Sequence, residues 1–251
     1  MRKGVQCMSH VAKYRYGFYY NQLDIDQQFV YKKIAAAVSE YRKAVDIDAD
    51  ESKIHRIKMA ILYDNPELFY WNLQDSKIVS EQMNLCYYTD TEEETRNLVT
   101  MLRDKRRAIL HDLYEENMTQ RDILHKVYDY LVKNIGYAED ELQKPGSVHW
   151  IYDIQGPMLR ERGVCQGIAQ TLNYFCAALN ISSFLVTGEA KVAGWSGNHG
   201  WNMVILAEEY YHIDITCDIC NNETEEWRYF LKKDNELKDH QWSRIIYPEA
   251  V

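Results

Sequence analysis

Gly163-Val164-Cys165-Gln166-Gly167-Ile168-Ala169 reads as a glycine turn running into an amphipathic helix. Ile168, Leu172, Phe175 and Leu179 recur at helical spacing, so a helix is expected over Gly163 to Leu179, with Asn180 past its end. Cys165 falls in its first turn, where unpaired N–H groups and the macrodipole favour negative charge on sulfur. Downstream come Asn198-His199-Gly200-Trp201-Asn202-Met203-Val204-Ile205 and Tyr210-Tyr211-His212-Ile213-Asp214-Ile215-Thr216-Cys217-Asp218. Strands are expected over Ile181 to Glu189, Gly200 to Leu206 and Tyr210 to Thr216, with a loop over Ala190 to Asn198 and a turn at Ala207-Glu208-Glu209. Fifteen residues separate His199 from Asp214, enough for two short strands and a tight turn to bring them together. A cysteine, a histidine and an aspartate so ordered make an activated nucleophile.

These residues, as V-C-x-G, H-x-W-N-x-V and D-x-T-x-D, resemble the transglutaminase-like superfamily, in particular its bacterial cysteine proteases. The resemblance runs from about Thr119 to Asp218. It implies an α+β, papain-like core, with the nucleophile helix packed on an antiparallel sheet. It also implies Cys165 as nucleophile, His199 as general base and acid, and Asp214 as the residue that orients the imidazole. Gln166 stands where a glutamate is frequent, Gly200 where alanine is usual, and Cys217 where a tryptophan often follows the threonine. The implied reaction is cysteine-dependent acyl transfer from an amide through a thioester. Hydrolysis of a peptide or protein substrate is the expected outcome. A transglutaminase with the same triad, or a non-catalytic peptide- or cell-wall-binding module on the same fold, are the alternatives. No metal or organic cofactor is required.

Composition narrows the setting. The chain has 251 residues and a net charge of −9, which argues against a nucleic-acid backbone or an anionic membrane as partner. No apolar run is long enough for a membrane-spanning helix. No signal peptide is visible in Met1 to Tyr20, so a cytoplasmic protein is the direct reading, or an exported one if a leader was removed. Six cysteines, at 7, 86, 165, 176, 217 and 220, are scattered as in proteins of a reducing compartment. Twenty tyrosines and six tryptophans exceed what packing alone calls for, and aromatic-rich surfaces bind peptide or sugar.

Residues 1–117 are expected to form a mostly helical accessory region and residues 118–251 the catalytic core. A helix is expected from Asp24, capped with Gln27, to about Val45, burying Ile25, Phe29, Ile34, Val38 and Tyr41. A second covers Asp50 to Tyr63 with Ile54, Ile57 and Ile61 inward, stopping before Pro66. Leu68 to Leu73 and Lys77 to Tyr88 look extended, and Asp90 to Glu116 is a charged helix. Thr119 starts a helix with Ile123, Val127, Tyr130 and Leu131 on its buried stripe and its stop at Asn134-Ile135-Gly136. Pro145-Gly146 marks a turn. Trp150 and Gln155 are candidates for a second oxyanion donor beside the Cys165 N–H. Cys217-x-x-Cys220 has the spacing of half a zinc site or a redox pair, without a companion motif. His212 shares a strand face with Asp214 and reads as a surface or supporting residue.

Overall fold

A computed structural model describes residues 11–48, 51–144, 148–192, 195–221 and 227–251. Cys7 and the Pro145-Gly146 turn lie outside the described residues. The fold is α+β, and the chain divides into two compact units, residues 1–101 and 102–251.

The first unit contains α1 (Phe18–Asn21), α2 (Ile25–Ser39), β1 (Ala44–Asp46), α3 (Glu51–Asp64), β2 (Trp71–Val79) and β3 (Gln82–Tyr87). The strands form an antiparallel sheet in the order β1-β3-β2. Asp24 and Gln27 make the reciprocal capping box expected of them, a device worth about 1 kcal/mol. The helix stops at Ser39 rather than Val45, because Tyr41 turns left-handed at φ 55° and Val45 joins β1. Ile25 and Phe29, expected inside, are exposed; the buried stripe runs instead through Val30, Tyr31, Ile34 and Val38. Ile54, Ile57 and Ile61 are buried as expected.

The division between the units falls within α4 (Glu92–Leu113). The second unit continues with α5 (Gln120–Asn134), β4 (Gly136–Tyr137), α6 (Glu139–Leu142), β5 (Arg162–Gly163), α7 (Cys165–Ala178), β6 (Ser182–Val192), β7 (Trp195–Leu206), β8 (Glu209–Ile213), α8 (Ile215–Cys220) and β9 (His240–Trp242). Thr119 caps α5 through Asp122. Its buried stripe includes Ile123, Val127 and Leu131 as expected, with Tyr128 rather than Tyr130. A parallel bridge between β4 and β5 leads the chain into α7.

The core sheet is four-stranded and antiparallel, in the order β8-β7-β6-β9. The described residues of the expected loop over Ala190 to Asn198 belong instead to two long paired strands, with Ala190 opposite Gly197 and Gly188 opposite His199. Their backbone groups pair from strand to strand, so His199 sits inside a strand and not at its end. The third strand is shorter than expected. It ends at Ile213, and Asp214 caps a short helix by accepting the backbone N–H of Cys217 at 3.0 Å. An aspartate followed by two unpaired backbone N–H groups starts a helix more readily than it continues a strand.

Register fixes what each sheet face carries. Paired residues share a face, so His199, Trp201, His212, His240 and Trp242 lie together. Asn202, on the other face opposite Leu185, donates its amide to Ala169 O and Asn173 Oδ1, each at 2.9 Å, which fastens α7 to the sheet. A Cβ added at Gly200 would come within 4.0 Å of Gln166 Cα, so the first turn of α7 abuts β7 beside His199. No helix among the described residues is long and apolar enough to cross a membrane.

Candidate active site

Cys165 opens α7 as its first helical residue, with Val164 as the N-cap. The segment before it is drawn in close: Val164 N–H donates to Ile151 O at 3.0 Å. Gly167 makes that approach possible, since an added Cβ would stand 2.4 Å from Ile151 O. The far end of α7 closes with Asn180 in the left-handed region and Ile181 N–H donating back to Cys176 O at 2.9 Å. Cys165 therefore stands at a rigid corner, half-buried. It borders a cleft of about 460 Å³ lined also by Tyr152, Gln166, Leu185, Glu189 and His199.

His199 Nε2 lies 2.6 Å from Asp214 Oδ2. The pair is buried, with 3% and 1% of the two side chains exposed. Burial works against a charged ring, but the Asp214 charge and hydrogen bond, with a further hydrogen bond and charge from Cys165, raise the His199 pKa to about 10. With Nε2 committed to Asp214, Nδ1 is the nitrogen left for the Cys165 thiol. Burial would lift the Asp214 pKa, yet His199 and then His240 hold it far below the usual carboxylate range. The three residues singled out in the sequence thus meet: Cys165 and His199 line the cleft, and Asp214 lies buried behind the imidazole.

His240 was not anticipated. Its Nε2 approaches the same oxygen, Asp214 Oδ2, at 2.9 Å, and its Nδ1 lies 2.8 Å from Asp239 Oδ1. The sequence signal was slight: a histidine and a tryptophan alternating in Asp239-His240-Gln241-Trp242, 26 residues past Asp214. His212 is no surface residue. It is fully buried, accepts the Trp201 indole N–H at Nδ1 (3.0 Å) and faces Asp234 through Nε2 (2.8 Å). Burial lowers its pKa despite Asp234. Trp201 in turn stacks on the His199 ring, 5.8 Å between centroids.

Trp150 and Gln155 do not line the cleft. Trp150 lies under the Arg160 guanidinium, 4.7 Å away, and the Gln155 amide is engaged by Asp153 and His149. Tyr152 takes the place beside Cys165, its carbonyl accepting the Gln166 side-chain amide at 3.2 Å.

Cys217 is buried and Cys220 exposed. Burial first, then the Asp214 charge, pushes the Cys217 thiol far up. His199, Asp214, Cys217 and His240 have donor atoms all within 4.8 Å of one another, a group that could hold a metal ion. As they stand, the nitrogen–oxygen separations of 2.6 and 2.9 Å are hydrogen bonds. A tetrahedral zinc with bonds of about 2.0–2.3 Å would spread its donors to roughly 3.3 Å.

The sequence profile of the transglutaminase-like superfamily matches residues 107–215. Over those residues the chain is similar to transglutaminase-like cores. That stretch takes in Cys165, His199 and Asp214 and stops short of His240. Among solved structures, a candidate cysteine protease from Cytophaga hutchinsonii is 15% identical over 48% of this chain and 39% of its own, with a TM-score of 0.38. A structure described as a TGase is 16% identical over 72% and 51%, with a TM-score of 0.42. The chain thus spans about two fifths and one half of these proteins, and likenesses of this size carry no functional weight. No curated protein matches the chain closely enough to stand as a relative.

Proposed function

We propose that the protein is a cysteine-dependent enzyme that transfers an acyl group from a peptide or amide to water. One observation carries the reading: an imidazole held by a buried carboxylate at 2.6 Å turns its other side to a cysteine at a helix N-terminus, beside an open cleft. The Cys165 thiolate attacks the amide carbonyl carbon, and negative charge gathers on the carbonyl oxygen. The Cys165 N–H, unpaired at the first helical position, points to that charge. The carbon–nitrogen bond then breaks as His199 delivers its proton to the departing amine, leaving a Cys165 thioester. Water attacks the thioester carbon as His199 takes its proton, the carbon–sulfur bond breaks, and the acid leaves behind the Cys165 thiolate and a protonated His199. Water is the acceptor because it needs no binding site of its own. A lysine amine entering the same cleft would give cross-linking by the same steps.

The test is incubation with a library of peptide amides and glutaminyl peptides, with and without an added primary amine, followed by mass spectrometry of products and enzyme. Free acid, and an acyl adduct on Cys165, are expected, with neither formed by Cys165→Ala. Amine-bearing product in place of acid would transfer the assignment to cross-linking. No turnover and no adduct across the library would overturn the enzymatic reading.

A further inference from the structure

Asp214 Oδ2 serves two histidines, His199 at 2.6 Å and His240 at 2.9 Å. Its other oxygen accepts the Cys217 backbone N–H at 3.0 Å. A buried carboxylate with three donors around it cannot turn about its own bond without losing one of them. His240 is itself clamped: its far nitrogen meets Asp239 Oδ1 at 2.8 Å, and the Tyr229 hydroxyl donates to Asp239 Oδ2. The ring is fully buried, with Trp201 edge-on to it at 4.8 Å. The pairing of Ala190 with His240 fixes its position on the sheet. Tyr229, Asp239, His240, Asp214, His199 and Cys165 therefore form one continuous line of polar contacts.

We infer that His240 is a positioning residue for the proposed reaction: through Asp214 it sets the orientation of His199 and moderates how tightly that ring holds its proton. The inference rests on the functional reading above, since the role is exerted on the Cys165–His199 pair. The sharing of Oδ2 is the physical basis. With His240 absent, that oxygen belongs to His199 alone, so the imidazolium is held more tightly while the carboxylate has one donor fewer to fix its orientation. The titratable groups facing His199 are Asp214, Cys165, Cys217 and His240; those facing His240 are Asp214, Asp239, Cys217, Tyr229, His199 and His212. The two His240 variants alter none of these but His240, and the Asp239 variant none but Asp239.

The experiment reads the pair directly and needs no known substrate. Cys165 is alkylated with neutral iodoacetamide and anionic iodoacetate across pH, in the wild type, His240→Leu, His240→Gln and Asp239→Asn, with His199→Ala as reference. A protonated His199 draws the anion, so the iodoacetate-to-iodoacetamide rate ratio reports its charge. In His240→Leu the alkylation rate near neutral pH should fall about ten-fold, by analogy with the lower end of what the hydrogen-bond partners of metal-bound histidines contribute. The pH at which the ratio collapses should move upward. His240→Gln, which keeps an N–H donor for Asp214, should restore much of the rate, and Asp239→Asn should shift the profile in the same direction by less. If His240→Leu does not fold, the glutamine and Asp239 variants decide alone. Rates that fall with no movement of the profile mean a merely structural residue and overturn the inference. So does an unchanged rate in every His240 and Asp239 variant while His199→Ala still suppresses alkylation, and the functional reading survives either result. If His199→Ala leaves Cys165 reactivity untouched, the functional reading fails and this inference with it.

Discussion

His199 and Asp214 are joined at 2.6 Å although they come from unlike elements, one inside a strand and one at the cap of a six-residue helix. The same carboxylate starts α8 with one oxygen and orients the imidazole with the other. Fold and chemistry can be separated at this position, because asparagine caps a helix as well as aspartate but presents a weaker, differently shaped partner to the ring. Asp214→Asn should lower kcat on any substrate found by about 10⁴-fold, as wrong-tautomer variants of such triads do. The fold should persist through the retained helix cap, with a melting temperature lowered at neutral pH because His199 and His240 lose their buried carboxylate. Matched kinetics and calorimetry check both halves.

The His199–Asp214 pair also makes stability depend on pH, with a definite sign. His199 is raised to about 10 in the fold, above the roughly 6.5 of an unfolded histidine. Its stabilising contribution is complete below about pH 6.5 and declines as pH rises toward 10. Asp214 is depressed, so its contribution is present above its unfolded value of about 3.9 and is lost on acidification. Denaturant midpoints of wild type and His199→Ala should differ most between about pH 4 and 6.5 and converge near pH 10. A gap that widens on the alkaline side would contradict the assignment.

Asn202 tests how α7 is held. It is 1% exposed and donates to both Ala169 O and Asn173 Oδ1. Asn202→Leu keeps the bulk but strips the buried Asn173 Oδ1 of its donor and Ala169 O of its bond beyond the helix, which should cost about 1–3 kcal/mol. Chemical denaturation measures this, and alkylation of Cys165 should slow as the helix start shifts.

Gly188 tests the meeting of β6 and β9. A Cβ there would stand 2.2 Å from Gln241 O and 2.9 Å from the Trp201 ring. Gly188→Ala must push β9 away or displace the indole, at a cost of about 1–3 kcal/mol. Lower stability, measured by urea denaturation, is expected alongside weaker protection of the His240 ring from exchange with solvent.

Much of this was legible because it is local. Asp24 with Gln27, and Thr119 at the start of α5, announce helix starts through chemistry contained within four residues. Cys165 at the head of an apolar-periodic run, with His199 and Asp214 downstream, marks the cluster in the sequence itself. What escaped depends on partners distant in sequence. Ile25 and Phe29 fit a helical stripe by spacing, yet the next apolar positions around the helix are the ones covered. The hairpin runs on through Gly197 and Asn198 because each strand supplies the other's backbone partners, which residue preferences do not reveal. His240 lies in a strand of three residues, too short for any period to register, and its importance arises only from where Asp214 has been placed.

The pairing of β9 with β6 has a consequence for the order in which the molecule comes into being. Chains are synthesised from the N-terminus, and His240 leaves the ribosome 75 residues after Cys165 (240 − 165). The hairpin carrying His199 and the cap carrying Asp214 emerge first, and β9 then docks along the edge through Gly188, Glu189 and Ala190. Until it does, the shared oxygen of Asp214 has one imidazole and not two. The nascent protein thus carries its nucleophile through some 75 further residues of synthesis with the line of contacts behind it incomplete, until β9 pairs with β6 and brings the second imidazole to Asp214.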